Sequence, residues 1–461
     1  MKVAKFGGSS LASGGQLQKV IDIVKADPNR KIIVVSAPGK RNKEDTKVTD
    51  LLIKYCNVII NDGDVTGIQD KIIRRYQSIA GHFGVPLENI ADIEIGIRQL
   101  ATQVFPNRSY QMAAFKAAGE NNNAKLVAAV FNHEGIKAHY MDPLKIGLRV
   151  TDVANDAQIL PSSYQKLARL SEYTDTLVIP GFFGYNAKNN ICTFSRGGSD
   201  ITGAIVAKAV AAERYENFTD VDAIYAANPN VVENPRKITH LTFREMRELA
   251  YAGFSVFHDE ALIPAIEGKI PVVVKNTNHP NLPGTLISET KEIDYDNVVS
   301  GIASDDGFTG IYIRKYLMDR QVGFTLKILQ VLADLNISYE HMPSGIDDLT
   351  VIIRSNQLTP ELEALVQERI EAAIQPDDFQ IEHDYAMVMI VGEGIKDRVG
   401  TMAAATASVA IAGVSIVMVN HGASPVSITI GVRKEDADLA VKSLYRTFVN
   451  HETVHLTNLI D

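Results

Sequence analysis

The chain has 461 residues, 46% of them hydrophobic and 22% charged, a length and composition typical of a globular protein with about two to four domains. Its 46 basic and 55 acidic residues give a net charge of -9, which argues against nucleic acid or an anionic membrane surface as a partner. The sequence has no apolar stretch long enough to cross a bilayer and no signal-peptide pattern, so we expect a cytoplasmic protein without membrane contact.

The first predicted strand leads into a glycine loop. Lys5 lies in the apolar run at the start of the chain and is followed by Gly7, Gly8 and Ser9, after which a helical pattern begins. A glycine pair lets backbone amides approach an oxyanion closely, and the lysine adds a positive charge at the same place. The loop therefore predicts a nucleotide phosphate site, although it matches neither the P-loop nor the dinucleotide-binding pattern. Taken alone, it is equally well explained as a glycine-rich turn with an incidental lysine.

Short apolar runs alternate with helical patterns in the N-terminal part of the chain. We predict strands at residues 31–36, 176–180, 215–218 and 270–274. Because these runs are almost continuously apolar, helices should cover both faces of the sheet, which indicates a mostly parallel α/β sheet. Ligands of such sheets bind at the carboxyl ends of the strands. The polar residues that follow predicted strands there are Lys5, Ser36, Arg196, Thr219 and Asp220.

A second glycine loop repeats the order of strand, glycine pair and helix. Arg196, Gly197, Gly198 and Ser199 follow a predicted strand, and an alanine-rich helical pattern comes directly after them. Two such loops, each with one basic residue, could hold two anionic groups face to face, which is the arrangement that phosphoryl transfer needs. Asp200 taken alone is predicted to be the N-cap of the helix.

Three other patterns carry no functional prediction. The only two cysteines, Cys56 and Cys192, lack the spacing of a zinc site. His133 and His139 are six residues apart, whereas a zinc-binding helix needs a spacing of four. We therefore predict no protein-bound metal. The sequence that begins at Asn217 matches a glycosylation acceptor, which we interpret as a chance match in a protein without a secretion signal.

Beyond residue 297 the chain contains an internal duplication. Residues 323–338 align without a gap with residues 400–415. Each copy has the order strand, helix, strand, turn, strand and helix that is typical of a ferredoxin-like α+β unit. Because such a small unit leaves a sheet edge and one face exposed, we expect pairing between the copies or between chains.

Three motifs and the duplication together resemble the aspartate kinases. The motifs are residues 5–10 (KFGGSS), 196–200 (RGGSD) and 219–225 (TDVDAIY), and the duplication resembles a tandem pair of ACT units. The resemblance covers nearly the whole chain. It implies transfer of the γ-phosphoryl group of ATP, with Mg, to the side-chain carboxylate of L-aspartate. The product would be 4-phospho-L-aspartate, in the pathway to lysine and threonine.

The resemblance also implies an architecture. An amino-acid-kinase-type domain, with a mostly parallel sheet sandwiched by helices, is expected in residues 1–297. A first ACT unit with its linker would occupy residues 298–384 and a second ACT unit residues 385–461. The ACT units are expected to join the chains into a homodimer or a larger oligomer.

Individual residues receive roles from the same resemblance. Lys5 would stabilise the transferring phosphoryl group, and Asp200 would organise the site beside it. Glu120, which without the resemblance would be an ordinary surface acid, would pair with the amino group of aspartate, and Arg196 would bind a substrate carboxylate. The other positions matched to aspartate are Ser36 and Thr49, and those matched to the nucleotide are Gly7, Gly8, Ser9, Gly197, Gly198, Ser199, Thr219, Asp220 and Tyr225.

The first ACT unit contains the residues that resemble an effector site. These residues match the loop and strand start that hold an amino acid in lysine-sensitive members: Met318, Gly323, Phe324, Thr325, Ser338, Tyr339 and Glu340. We predict feedback inhibition by lysine, alone or with threonine, and a packing role for the second unit. Glu340 taken alone is equally well explained as a solvated glutamate at a strand edge.

Two positions depart from the family pattern. Ser255 stands where many members have a lysine that contacts the nucleotide, and Asn230 stands where an arginine is usual. Two other functions therefore stay open. One is a kinase of the same superfamily with another acid substrate, such as glutamate, and the other is a catalytically weak amino-acid sensor.

Overall fold

The structure of this chain is a computed structural model that describes residues 1–195, 197–254, 259–422 and 424–452. Within these ranges, no helix is both long enough and apolar enough to cross a membrane. Contacts along the chain define two compact units. The first consists of residues 1–224, 237–247 and the described part of 255–291, and the second of residues 225–236, 248–254 and the described part of 292–461.

The strands and helices up to residue 291 belong to the first unit, except that β8 and α8 run across its boundary. The strands are β1 (Lys2–Phe6), β2 (Arg30–Val35), β3 (Ala138–Tyr140), β4 (Thr176–Pro180), β5 (Phe183–Tyr185), β6 (Ile191–Thr193), β7 (Arg214–Thr219), β8 (Ile224–Tyr225), β9 (Lys237–Ile238), β10 (His240–Thr242), β11 (Val272–Asn276) and β12 (Thr285–Ser288). The helices are α1 (Gly14–Ala26), α2 (Val48–Ile60), α3 (Thr66–His82), α4 (Ala91–Gln99), α5 (Arg108–His133), α6 (Pro161–Leu167), α7 (Gly198–Ala209), α8 (Phe243–Tyr251) and α9 (Ile263–Gly268).

Eight of these strands form one sheet, in the order β10-β12-β11-β7-β1-β2-β4-β3. Its neighbouring strands run parallel except β11 and β12. Residues 32–35 of β2 are fully inaccessible to solvent, as are Val3, Ala4 and Phe6 of β1. This burial is the reason for the continuous apolar runs in the sequence. The predicted mostly parallel sheet, flanked by helices, is confirmed.

The strand β1 positions the site, because it lies between strands that come from different parts of the chain. It pairs with β2 on one side and with β7 on the other, and Lys5 lies opposite Val34 and Asn217 in these two pairings. In open α/β sheets, ligands bind at the carboxyl ends of the strands where the strand order reverses. The residues that follow β1, β2 and β7 share that edge of the sheet.

The second unit contains the duplicated part of the chain. Its strands are β13 (Gly301–Arg314), β14 (Asp348–Arg354), β15 (Asp378–Val391), β16 (Met418–His421) and β17 (Ser427–Arg433). Its helices are α10 (Phe324–Asp334), α11 (Pro360–Ile374), α12 (Thr401–Ile411) and α13 (Ala437–Phe448). The strands form one antiparallel sheet in the order β14-β13-β15-β17-β16.

The duplication is visible at the starts of two helices. Gly323 precedes α10 with a φ of 79°, and Gly400, its counterpart in the alignment, precedes α12 with a φ of 87°. Both values lie in the left-handed region that glycine adopts readily. The copies differ in their middle strand: the second copy has β16, whereas the first forms only isolated bridges, at His341 and Ser344. The long strand β15 runs across residue 384, and the domain boundaries at 297 and 384 stay predictions.

Candidate active site

Lys5 and Asp200 form an ion pair at the carboxyl edge of the sheet. The Nζ atom of Lys5 lies 2.6 Å from Oδ1 of Asp200, and the two side chains are only 9% and 15% exposed. Gly197, with a φ of 74°, occupies the N-cap of α7, so Asp200 lies in the first turn of the helix instead. The predicted N-cap role of Asp200 is therefore wrong, because its carboxylate turns to Lys5 rather than to the amides of its own helix.

Asn217 completes this group and was missed by the sequence analysis. Its Nδ2 atom donates to Oδ1 of Asp200 over 2.6 Å, the same oxygen that Lys5 contacts. The signal in the sequence is a polar residue in a predicted strand, beside the aromatic Phe218. The sequence analysis interprets Asn217 only as part of a chance glycosylation match. The residue is 3% exposed and therefore belongs to the interior of the protein.

The first glycine loop is held by backbone contacts. The amide of Gly7 donates to the carbonyl of Phe218 over 3.1 Å, and the amide of Gly39 donates to the carbonyl of Gly8 over 2.8 Å. A Cβ atom on Gly39 would lie 2.6 Å from the carbonyl carbon of Gly8. The first glycine loop and the loop that contains Gly39 therefore pack backbone against backbone, which leaves no room for a side chain at Gly39.

Glu120 is buried at the same edge and is not the surface acid that its sequence alone predicts. It lies in α5 and is 6% exposed, and its Oε2 atom has no hydrogen-bond partner among the described residues. Burial raises the pKa of its carboxyl group to about 8, although the Ala37 backbone and the charge of Lys5 oppose this shift. A buried carboxyl oxygen without a hydrogen-bond partner is costly, so this oxygen marks a position for a polar group of a ligand.

The other two positions matched to aspartate lie beside Glu120. A Cβ atom on Gly119 would lie 2.8 Å from Cβ of Ala37, the residue after Ser36, and 3.8 Å from Oγ1 of Thr49. The helix α5 also donates from Asn123 to the carbonyl of Ser36 over 2.6 Å. Helix α5 thus brings Glu120 together with the loop after β2 and the first turn of α2.

A polar cavity of about 240 Å³ adjoins the first glycine loop. Its lining includes Ser9 and Asp220, both predicted to contact the nucleotide, and also Lys40 and Arg41, which the sequence analysis missed. Asp45 accepts hydrogen bonds from Arg41 and from the buried Arg75, and hydrogen bonds from Arg41 lower the pKa of the Asp45 carboxyl group. This network fixes the loop that carries the two cations. A larger open cavity, of about 890 Å³, lies beside β3 and α6 and is lined by other residues.

The remaining predicted positions have different outcomes. Gly198 and Ser199 are buried in the start of α7, and Thr219 donates to Asp220 over 3.2 Å at the end of β7. Arg196 and Ser255 lie outside the described residues. Tyr225 and Asn230 belong to the second unit, where Tyr225 is half-buried and Asn230 is exposed.

The predicted effector residues lie in the second unit, some before and within the first turn of α10 and the others in the segment that follows this helix. Met318 and Phe324 are buried, and the backbone amide of Ser338 donates to Gln357 over 2.8 Å. The side chain of Glu340 is 19% exposed and receives hydrogen bonds from Arg354, over 3.4 Å, and from the hydroxyl of Tyr251. The alternative interpretation of Glu340 as a solvated glutamate is therefore wrong.

Comparisons with known proteins identify the family of the chain. The amino acid kinase family model matches residues 1–276, and an ACT domain model matches residues 388–448. Aspartokinase 3 of Bacillus subtilis is 49% identical over 448 residues, which cover 97% of this chain and 98% of that protein. The chain belongs to the amino acid kinase family and, within it, to the aspartokinases.

Solved structures give the same assignment. The crystal structure of Clostridium acetobutylicum aspartate kinase, described as an allosteric enzyme, matches with a TM-score of 0.85 at 34% identity, covering 97% of this chain and all of that one. Escherichia coli aspartokinase III in complex with aspartate and ADP matches with a TM-score of 0.79 over 97% of this chain and all of that one. At 24% identity, this second match shows the fold alone.

Proposed function

We propose that this aspartokinase transfers the γ-phosphoryl group of ATP to the side-chain carboxylate of L-aspartate, giving ADP and 4-phospho-L-aspartate. The observation that carries the proposal is the buried pair of Lys5 and Asp200 beside the unpartnered carboxylate oxygen of Glu120. The ammonium group of Lys5 suits a transferring phosphoryl group, and the carboxylate of Glu120 suits the ammonium group of an amino acid. An amino acid with a side-chain carboxylate that accepts a phosphoryl group needs both.

The substrate would be held at its amino-acid end. The ammonium group of aspartate would donate to Oε2 of Glu120, which burial otherwise leaves unpaired. Ser36 and Thr49 would donate hydroxyl hydrogen bonds to carboxylate oxygens, and Arg196 would bind a carboxylate through its planar guanidinium group. These contacts would direct the side-chain carboxylate of the substrate to the phosphates of ATP.

The transfer itself needs positioning and charge neutralisation. An oxygen of the aspartate side chain forms a bond to the γ-phosphorus, while the bond from that phosphorus to the β–γ bridging oxygen breaks and its electron pair leaves with ADP. No proton has to be removed, because the carboxylate is already ionised at neutral pH. Lys5 would neutralise charge on the moving phosphoryl group, as backbone amides of the two glycine loops would.

The nucleotide would lie over the glycine loops, with Thr219, Asp220 and Tyr225 as further contacts. Magnesium would enter with ATP and neutralise phosphate charge. Among the described residues, no three His, Cys, Asp or Glu side chains lie together as a metal site. Asp220, exposed at the end of β7, would contact the nucleotide.

Regulation is assigned to the second unit. Lysine, alone or with threonine, would bind near the start of α10 and inhibit the enzyme. The division into residues 1–297, 298–384 and 385–461, a homodimer or larger oligomer formed through the ACT units, and a cytoplasmic location complete the proposal.

The test is ATP-dependent formation of an acyl phosphate, trapped with hydroxylamine as a hydroxamate. L-aspartate and L-glutamate are compared, and lysine and threonine are added singly and together. Hydroxamate formed from aspartate and suppressed by lysine supports both parts of the proposal. If hydroxamate forms from glutamate instead, glutamate is the substrate. If no hydroxamate forms but the protein still binds amino acids, the result favours a sensor.

A further inference from the structure

Asn217 is a polar side chain enclosed within the sheet. It lies in β7, opposite Lys5 of β1 and Val274 of β11, and its chain neighbour Phe218 is fully buried. An amide in such a place is unfavourable unless both its donor and its acceptor are hydrogen-bonded. A leucine, whose side chain has the same number and branching of heavy atoms, would avoid this cost, so the contacts of the amide must explain its presence.

The contacts of Asn217 converge on the catalytic pair. Its Nδ2 atom donates to Oδ1 of Asp200 over 2.6 Å, and Nζ of Lys5 lies 2.6 Å from the same oxygen. Strand β7 also holds the backbone of Asp200, because the hydroxyl of Tyr215 donates to its carbonyl over 3.2 Å. One carboxylate oxygen thus receives two donors from two neighbouring strands.

The acceptor atom of Asn217 is the second observation. Within the part of the chain that the structure describes, Oδ1 of Asn217 is buried and has no hydrogen-bond partner. The amide therefore satisfies only its donor side, and that side is directed to Asp200. An amide that is hydrogen-bonded only through its donor stabilises one orientation of Asp200 rather than the fold as a whole.

We propose that Asn217 is a positioning residue for phosphoryl transfer. By occupying Oδ1 of Asp200, its amide fixes the orientation of the carboxylate, and the carboxylate in turn fixes the direction of the Lys5 ammonium group. Without the amide, both carboxylate oxygens can turn to Lys5 and draw its charge away from the phosphoryl group. This inference rests on the proposed function, in which Lys5 acts on that group.

The test replaces the amide in two ways and measures kcat, the two KM values and thermal stability. In Asn217→Leu the number and branching of the side-chain heavy atoms are kept and the donor is lost. We expect kcat to fall by about ten- to a hundredfold, with KM values for ATP and aspartate within about twofold of wild type and a melting temperature that does not decrease.

The second variant, Asn217→Asp, is tested by the pH dependence of its kcat, which would not change if Asn217 had only a structural role. Two adjacent carboxyl groups share a proton at low pH, so the protonated new side chain would again donate to Asp200. We expect the kcat of this variant, relative to wild type, to rise as the pH falls from 8.5 to 5.5. Asn217→Leu, which cannot donate at any pH, should show no such recovery.

A matched control is Asn132→Leu. Asn132 lies in α5, donates to the carbonyls of Ala128 and Ala138 over 2.8 Å each and accepts from the amide of Ala138. Its loss should lower the melting temperature and leave kcat and its pH profile unchanged. Wild-type kcat in Asn217→Leu, or a pH profile of Asn217→Asp that parallels wild type, would overturn the proposal. If the wild-type protein shows no aspartate-dependent turnover, the proposed function itself is wrong.

Discussion

The pKa of Glu120 leads to a quantitative prediction about substrate binding. Only the ionised carboxylate can pair with the ammonium group of aspartate, and burial raises the pKa of the Glu120 carboxyl group to about 8. Roughly one side chain in ten is then ionised at pH 7 and one in a hundred at pH 6. The KM for aspartate should therefore fall about ninefold from pH 6 to pH 7 and about fivefold from pH 7 to pH 8, and then level off.

The measurement is the initial rate of hydroxamate formation against aspartate concentration, between pH 6 and pH 9 with ATP in excess. Calorimetry gives a second readout, since binding at pH 7 should release about 0.9 proton. The variant Glu120→Gln should lose the pH dependence and bind aspartate weakly throughout. The control Glu134→Gln changes an acid at the C-terminal end of the same helix and should behave as wild type. A pH-independent KM in the wild-type enzyme would refute the reasoning.

The same group predicts how stability depends on pH. Its folded-state pKa is raised above the reference value of 4.5, so the folded protein holds this proton over a pH range in which the unfolded chain has lost it. The resulting stabilisation is fully present below about pH 4.5 and is lost as the pH rises through about 8, which amounts to roughly 5 kcal/mol. In the absence of substrate, the melting temperature of Glu120→Gln should therefore increase relative to wild type between pH 5 and pH 9.

Three further variants test other parts of the site. Lys5→Met should reduce kcat by at least about a hundredfold, whereas Lys2→Met, which breaks an ion pair of 2.7 Å at the other end of the same strand, should leave the rate near wild type; equal rates would remove the catalytic role of Lys5. Gly39→Ala should raise the KM for ATP and lower stability by about 1 to 3 kcal/mol, as enzyme kinetics and denaturation would measure. Tyr251→Phe releases Glu340 and should lower the half-inhibitory lysine concentration by about tenfold; an unchanged value would mean that this hydrogen bond does not compete with the effector.

The sequence was sufficient to predict the sheet, because burial on both faces leaves a direct trace in composition. The strands β2 and β4 were predicted to within a residue at each end, and β11 to within two residues. The glycine loops were also predictable, since a close backbone approach such as that of Gly39 to Gly8 excludes side chains. The duplication predicted a middle strand in each copy, but in the first copy that segment forms only isolated bridges.

The side chains of the site were less predictable, because their properties depend on residues far away in the chain. Glu120 has the sequence context of a surface acid, and it is buried only because α5 packs against the loop after β2. Asp200 has the sequence context of an N-cap, but Gly197 takes that position and Lys5 attracts the carboxylate. Asn217 lies seventeen residues after Asp200 in the chain and contacts it only in the folded protein.

The charges of the site explain why Lys5, Asp200 and Glu120 occur together. The charges of Lys5 and Asp200 cancel each other, and a Glu120 side chain that keeps its proton adds no charge, so little net charge is buried before substrate binds. When aspartate binds, its ammonium group can pair with an ionised Glu120. The carboxylates of aspartate then need the positively charged side chains of the loops. Asp200 prevents Lys5 from binding those carboxylates directly, since its ammonium group is already paired. The lysine is thereby kept for the phosphoryl group, whose greater negative charge competes better with Asp200 than a carboxylate does.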